Sequence, residues 1–371
     1  MLPLSPSTPS IVRHALASTV LAHVAHIGAV LALYFFIQRV LPSQPARKQQ
    51  IAFAAACLHI VSPAGIFLSS PYGESSYAFA SFLGFYCYAA AIQHRYAVDH
   101  RSSLHEVIWN TAAGLFFGVS AMIRGNGLLN GIPFAVDALV SAYTVLTTHN
   151  PSELIRLSGI ILGGTLNGIG FILPQAVAYT DFCTAGNSRP WCSHFPPSIY
   201  NWVQSHYWNV GLFEYWTLSN APLFLLAAPM LLILLDTGFS ALHHARAILI
   251  AINGEEPPSQ RNSPVHQAEV QVFKHVLSRF ALSQLVLAVL ALTSFHVQIV
   301  NRISSGYVVW YLVLAITIQD QSPALRCGHE AGEHYQPFRM LSGKRRQWAV
   351  RGMVMYAIVQ GGLYASFLPP A

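Results

Sequence analysis

Four ionisable side chains stand at the ends of apolar stretches, where charge is costly and usually placed for function. Glu74 follows Ser70-Pro71-Tyr72-Gly73, Arg124 opens Arg124-Gly125-Asn126-Gly127, and His296 and Arg302 bracket His296-Val297-Gln298-Ile299-Val300-Asn301-Arg302. A planar guanidinium engages two phosphate oxygens at once. Glycines on either side of Asn126 let backbone or ligand approach closely. Arg124 and Arg302, with His296 as helper, are therefore candidates to hold a phosphate, and Glu74 is a candidate acid or base that positions substrate at the mouth of a polar cavity. Plainer readings stand beside these: a first-turn acid complementing a helix dipole for Glu74, and an arginine snorkelling to headgroups for Arg124.

Residues 181–217 carry Trp191, Tyr200, Trp202, Tyr207, Trp208, Tyr215 and Trp216 among Gln204, His206 and Asn209. Aromatic rings stack on the apolar faces of sugars while amides and imidazoles bond the hydroxyls, so Gln204, Tyr207, Trp208 and Asn209 are candidate substrate contacts, with Tyr72 and Asn126 from the other blocks. The alternative is an aromatic belt at a membrane interface. Asp181 and Glu214 flank this segment as weaker candidate acids. Cys183 and Cys192 are expected to pair as a disulfide that shapes the loop. No Asp-x-Asp pair and no Gly-x-x-x-x-Gly-Lys loop occurs, so neither a metal-bound nucleotide sugar nor a nucleotide phosphate is indicated. His329-Glu330-Ala331-Gly332-Glu333-His334 has the wrong spacing for zinc. No metal and no cofactor are expected.

Positioning these residues falls to a membrane bundle. Of the 371 residues, 53% are hydrophobic and 9% charged, against about 25% charged in soluble domains. That excludes a soluble enzyme, a disordered tail and a nucleic-acid reader. Apolar runs fall at roughly 15–37, 51–69, 75–92, 107–123, 128–147, 154–180, 218–235, 276–300, 306–319 and 349–368, which predicts an all-α polytopic fold of about ten spans in one multi-span domain covering 1–371. The run 128–147 holds Pro133 and Asp137, so 107–147 reads either as two crossings or as a re-entrant pair. The first run is too long for a cleavable signal core. Placing the loops 38–50, 93–106, 148–153, 236–275 and 320–348 on one side, with the helix ends holding Arg156, Arg279 and Arg351, gathers 16 of the 20 lysines and arginines there and leaves Arg13, Arg124, Arg189 and Arg302 on the other. The positive-inside rule then makes 236–275 and 320–348 cytoplasmic and gathers Glu74, Arg124, loop 181–217, His296 and Arg302 on the lumenal or exterior face.

The ordered blocks resemble the GPI mannosyltransferase 2 (PIG-V) family. They are Ser62-Pro63-Ala64-Gly65-Ile66-Phe67 through Glu74, Arg124-Gly125-Asn126-Gly127, Phe182-Cys183 to Arg189-Pro190-Trp191-Cys192, Tyr207-Trp208-Asn209-Val210-Gly211, Ala221-Pro222-Leu223-Phe224 and His296-Val297-Gln298. The resemblance implies a glycosyltransferase C-type (GT-C) bundle in the endoplasmic reticulum membrane. It implies transfer of the second mannose, α-1,6-linked, from dolichol-phosphate-mannose to a GPI glycolipid precursor, with a small accessory membrane subunit as a possible partner and no nucleic acid. The family's first lumenal loop carries an acid in a Trp-Asp context, and no Trp-Asp or Trp-Glu pair occurs here. The chain is accordingly expected to be N-terminally truncated relative to the family, so that fold and substrate class carry over and catalytic competence does not. A lipid or sugar transporter or flippase, and a non-catalytic membrane subunit, are the rival readings.

Overall fold

The computed structural model describes residues 10–97, 103–184, 189–253, 263–319 and 344–366. Among them the regular elements are helical: α1 (Ser10–Val40), α2 (Pro45–Ile60), α3 (Glu74–Tyr96), α4 (Ser103–Ile123), α5 (Ile132–Thr148), α6 (Pro151–Cys183), α7 (Ile199–Trp208), α8 (Ala221–His243), α9 (Ala245–Asn253), α10 (Pro264–Thr293), α11 (Val300–Ile303), α12 (Val308–Gln319) and α13 (Lys344–Ser366). Prolines at the first turns of α2, α6 and α10 start helices where a missing N–H costs nothing. Asn150 caps α6 by accepting the Ser152 N–H at 3.0 Å.

Among the described residues, six segments are long and apolar enough to cross a membrane: α1, α4, residues 125–148 ending in α5, α6, the segment 218–243 containing α8, and α10. A seventh is reached only if residues 297–306 and α12, bent by 79° to one another, count as one. The expected ten spans are therefore not supported. The physical reason lies in the remaining runs. The 16 residues of α2 extend only about 24 Å, short of a ~30 Å hydrocarbon core. The 12 residues of α12 are shorter still, and Val308 through Thr317 are buried on every side. Protein surrounds this helix, so its apolarity records packing and not contact with lipid. In α3, Glu74, Gln93, His94 and Arg95 lower the apolar character, and α13 opens on Lys344-Arg345-Arg346. Residues 103–123 and 125–148 each pass as a separate span, so the run 107–147 forms two crossing-length helices. Loop 236–275 is also shorter than expected: α8 continues to His243, α9 follows, and α10 begins at Pro264. Most of 320–348, with the His329–His334 stretch, lies outside the described residues.

The closest helix packing is α4 on α6. A Cβ on Gly114 would run into the Gly163 carbonyl, and one on Gly118 would stand 2.7 Å from the Leu166 carbonyl oxygen. Small residues let two membrane helices come within backbone contact, which is where their packing attraction arises. Gly114→Ala is expected to lower stability by about 1–3 kcal/mol through overpacking. Gly168→Ala, a position with nothing within 4 Å, is expected to be neutral. Thermal unfolding of the two purified variants in the same detergent checks the pair.

The interior also holds a polar network that the sequence only half revealed. Asp137 accepts from Arg279 Nε at 2.6 Å, His275 Nε2 at 3.0 Å and Tyr88 Oη at 2.5 Å. Arg279 thus leaves the set of cytoplasmic flanking charges. It lies halfway along α10, its charge answered inside the bundle, and Asp137 is joined at that depth by His275. Tyr88 lies fourteen residues along α3 from Glu74, a distance of about 21 Å at 1.5 Å per residue. The network and the lumenal-face candidates therefore occupy separate levels. At the far end, Arg39 bonds Gln93 and Tyr86 at 2.8 Å each, Arg47 bonds the Gln319 carbonyl at 2.9 Å, and Arg156 bridges Glu106 and Glu153. Basic residues do concentrate opposite Glu74.

Candidate functional site

The turn 62–73 delivers the chain from α2 to α3, and Glu74 opens α3 behind Gly73. Arg124 leaves the end of α4 in an extended conformation, φ −143° and ψ 130°, which turns its side chain back across the mouth of α3. Arg302 comes from α11, a single turn wedged between α10 and α12. The three meet at one atom. Arg124 Nη1 lies 2.5 Å from Glu74 Oε1, and Arg302 reaches the same oxygen with Nη2 at 2.5 Å and Nε at 2.7 Å. Glu74 is fully buried, while the Arg302 and Arg124 side chains are 8% and 17% exposed. Arg124 is thus the outer guanidinium and Arg302 the inner one. Glu74 Oε2 has no hydrogen-bond partner.

Aromatic rings frame the charges. Phe67 lies 4.0 Å and Tyr72 5.3 Å beneath the Arg302 guanidinium carbon, positions that favour a cation over a ring face. Tyr72 is 39% exposed and forms part of the rim. Asn126 donates to Tyr77 Oη at 2.8 Å and accepts from Tyr307 Oη at its carbonyl at 3.4 Å, which fixes the glycine-flanked turn against α3 and the residue that precedes α12. Gly125 lies against Tyr200, where a Cβ would come within 2.7 Å of the phenol oxygen. Burial raises the Tyr200 pKa, opposed in part by Arg124, and the phenol stays protonated.

His296 lies beside the cluster, stacked on Trp208 at 5.7 Å and near Tyr215 at 6.3 Å. Burial lowers its pKa below 6.5, and Arg302 and Arg124 lower it further. The imidazole is neutral at neutral pH, with Nδ1 unbonded. The sign for stability follows. Above pH 6.5 both folded and unfolded histidine are neutral; as pH falls below 6.5 the unfolded chain takes up the proton first, so stability is lost with acidification. His296→Gln is expected to flatten the fall in unfolding temperature between about pH 7 and 5.5, and an unchanged slope would contradict it.

The aromatic loop divides. Cys183 and Cys192 form a disulfide with Cα atoms 5.6 Å apart, and Trp191 is buried. Of the expected sugar contacts, Trp208 reaches the cluster through His296. Asn209 ties its amide nitrogen to the turn that follows α7. It closes α7 in the left-handed region at φ 50° and donates to the Glu214 carbonyl at 3.2 Å, a turn role to which asparagine is suited. The Gln204 main-chain carbonyl accepts the Val210 N–H at 3.0 Å in the same turn. Tyr207 is 66% exposed against Trp202 and His206. Asp181 and Glu214 are exposed. The structure thus gathers Glu74, Arg124, Arg302, His296, Tyr72, Asn126 and Trp208, and leaves Gln204, Tyr207 and Asn209 to the loop. Sequence reasoning did not select Phe67, Tyr77 or Tyr307 and named Tyr200 only among the loop's aromatics. Tyr77 had a usable signal, since it follows Glu74 by three residues and so shares its helix face.

Chemically, two guanidiniums on one carboxylate, with a neutral imidazole beside them, leave one net positive charge at a partly open mouth. That suits an anion. No group of three or more histidine, cysteine, aspartate or glutamate side chains placed to hold a metal occurs among the described residues.

Comparison with known proteins places this chain in a family. Residues 6–371 match the family described as Mannosyltransferase (PIG-V). The chain is 39% identical over 362 residues to the GPI mannosyltransferase 2 of Aspergillus oryzae, covering 96% of this chain and 74% of that one. It is 36% identical to that of Gibberella zeae, with 96% and 75% covered, and 38% identical to that of Chaetomium globosum, with 98% and 72% covered. Among solved structures, the apo oligosaccharyltransferase of Archaeoglobus fulgidus is matched with a TM-score of 0.39 at 15% identity, over 92% of this chain and 44% of that one. The chain is a multi-pass membrane protein that belongs to the PIG-V mannosyltransferase family.

Proposed function

We propose that this chain, against the expectation that catalytic competence does not carry over, transfers mannose from dolichol-phosphate-mannose to a GPI glycolipid precursor, as the second mannose in α-1,6 linkage, at the lumenal face of the endoplasmic reticulum membrane. The observation that carries the reading is the meeting of Arg124 and Arg302 at the bundle mouth, where a phosphate leaving the sugar needs cations. An apolar cleft supports a lipid-linked donor. It has a volume of about 430 Å³, lies between α8 and α13, and is lined by Pro63, Leu226, Pro229, Met230, Met353 and Asn301. Asn301, next to Arg302 in the chain, lines this cleft, and in this reading the donor's lipid chain lies along it. The sugar-bearing phosphate of the donor, and not the distant phosphate of the acceptor lipid, must sit at the reacting carbon.

In this reading the acceptor hydroxyl attacks the anomeric carbon. The carbon–oxygen bond to phosphate breaks with its electron pair on the phosphate oxygen, and the hydroxyl proton passes to a base. Arg124 and Arg302 stabilise the growing charge. Neutral His296, stacked on Trp208, adds no charge there and offers a ring nitrogen to a hydroxyl or proton. Glu74 holds the two guanidiniums in place with the oxygen they share. Expression in cells that lack second-mannose transfer tests the proposal. Precursors bearing two mannoses are expected. Persistence of the one-mannose species, with the protein present in the membrane at normal abundance, would overturn it. A transporter or flippase would give no new glycolipid from purified components, whereas this reading gives one.

A further inference from the structure

We propose that Glu74 sets the charge of the phosphate site so that a phosphodiester monoanion is held and a phosphomonoester dianion is released. The inference rests on Arg124 and Arg302 being the phosphate site.

Among the described residues the charges facing the cluster can be named. Arg124 comes from the end of α4, Arg302 from α11 and Glu74 from α3; Tyr72, Tyr77, Tyr200 and Tyr307 surround them without charge, and His296 is the remaining titratable neighbour. Two guanidiniums and one carboxylate leave a single positive charge. The second carboxylate oxygen accepts no hydrogen bond, so the negative charge is not spent on another donor behind it.

That single charge matches the donor. A sugar phosphate joined to a lipid is a diester with one negative charge, and the bound sum is zero. On transfer the bond to the sugar breaks, its electron pair stays on the phosphate oxygen, and a monoester remains that carries about −1.5 to −2 at neutral pH. The sum then turns negative in a site where Glu74 is wholly buried and charges are weakly screened. Product is repelled by the carboxylate that the donor tolerated. With an uncharged residue at 74 the same two arginines would balance a dianion, and the product would stay.

The test uses purified protein in detergent and two short probes, citronellyl phosphate and its methyl ester, at about pH 7.5, where the monoester is close to doubly charged and the ester singly charged. The wild-type protein is expected to bind the methyl ester at least as tightly as the monoester. Glu74→Gln is expected to shift the affinity ratio toward the monoester by about tenfold or more, and Glu74→Asp to keep the wild-type ratio. Arg302→Gln is expected to weaken both probes. A wild-type preference for the monoester of about tenfold, or an unchanged ratio in folded Glu74→Gln, overturns the inference. Should Glu74→Gln fail to fold, the wild-type ratio together with that of Glu74→Asp decides. If Arg302→Gln binds both probes normally, the phosphate reading itself falls; if it weakens both while Glu74→Gln keeps the wild-type ratio, only the role of Glu74 falls.

Discussion

Arg302→Ala is expected to slow mannosyl transfer by about 10²–10³-fold, the usual cost of losing one preorganised donor to a developing oxyanion. The size of the effect follows from where the side chain sits. Arg302 is the inner guanidinium, 8% exposed, and contacts Glu74 through two nitrogens. Phe67 and Tyr72 fix its plane. Water cannot replace it without flooding the aromatic floor. Arg302→Lys keeps the charge but loses the fork, so an intermediate loss of at least about tenfold is expected. Arg124, the outer partner, is expected to matter less for folding and comparably for rate. Transfer assays on membranes matched for protein amount separate a chemical defect from a missing protein. Undiminished transfer by Arg302→Ala at normal abundance would contradict the assignment.

Asp137→Ala is expected to destabilise the protein by about 3–5 kcal/mol, because removing one member of a buried ion pair strands the other. Here the stranded groups are Arg279 and His275 on α10, with the Tyr88 hydroxyl losing its acceptor as well. The damage is structural. The network stands on the order of 20 Å from Glu74 along α3, so the folded fraction is expected to retain its affinity for substrate while the yield of folded protein collapses. Removing the cation too, in Asp137→Ala with Arg279→Leu, is expected to restore part of the loss. Unfolding temperature in detergent and the yield of monodisperse protein report both arms. Equal unfolding temperatures for the wild type and Asp137→Ala would show that the pair carries no weight.

What the sequence made legible, and what it concealed, follows from the range of the interactions. The membrane class was plain, because a chain with 9% charged residues cannot wet a globule of this size. The clustering of Glu74, Arg124, His296 and Arg302 at one end followed from the crowding of positive charge at the other, without any knowledge of packing. The number of spans did not follow. An apolar run looks the same whether lipid or protein surrounds it, and α12 is surrounded by protein. The pairing of Asp137 with Arg279, 142 residues apart, has no local signature. Arg279 reads as a flanking charge because it precedes an apolar run, whereas α10 begins fifteen residues earlier, at Pro264. Asn209 resembled a sugar ligand for its aromatic neighbours, yet its left-handed backbone at φ 50° gives it a turn to hold. The sharing of one Glu74 oxygen by two arginines depends on α11 folding back beneath the turn 62–73, which only tertiary structure sets.

A cryo-electron microscopy structure of the chain with dolichol-phosphate-mannose bound tests the phosphate assignment most directly. The account predicts phosphorus density between the Arg124 and Arg302 guanidiniums, with the lipid chain leaving past Asn301. Phosphate density elsewhere, with both arginines still closed on Glu74, would contradict it.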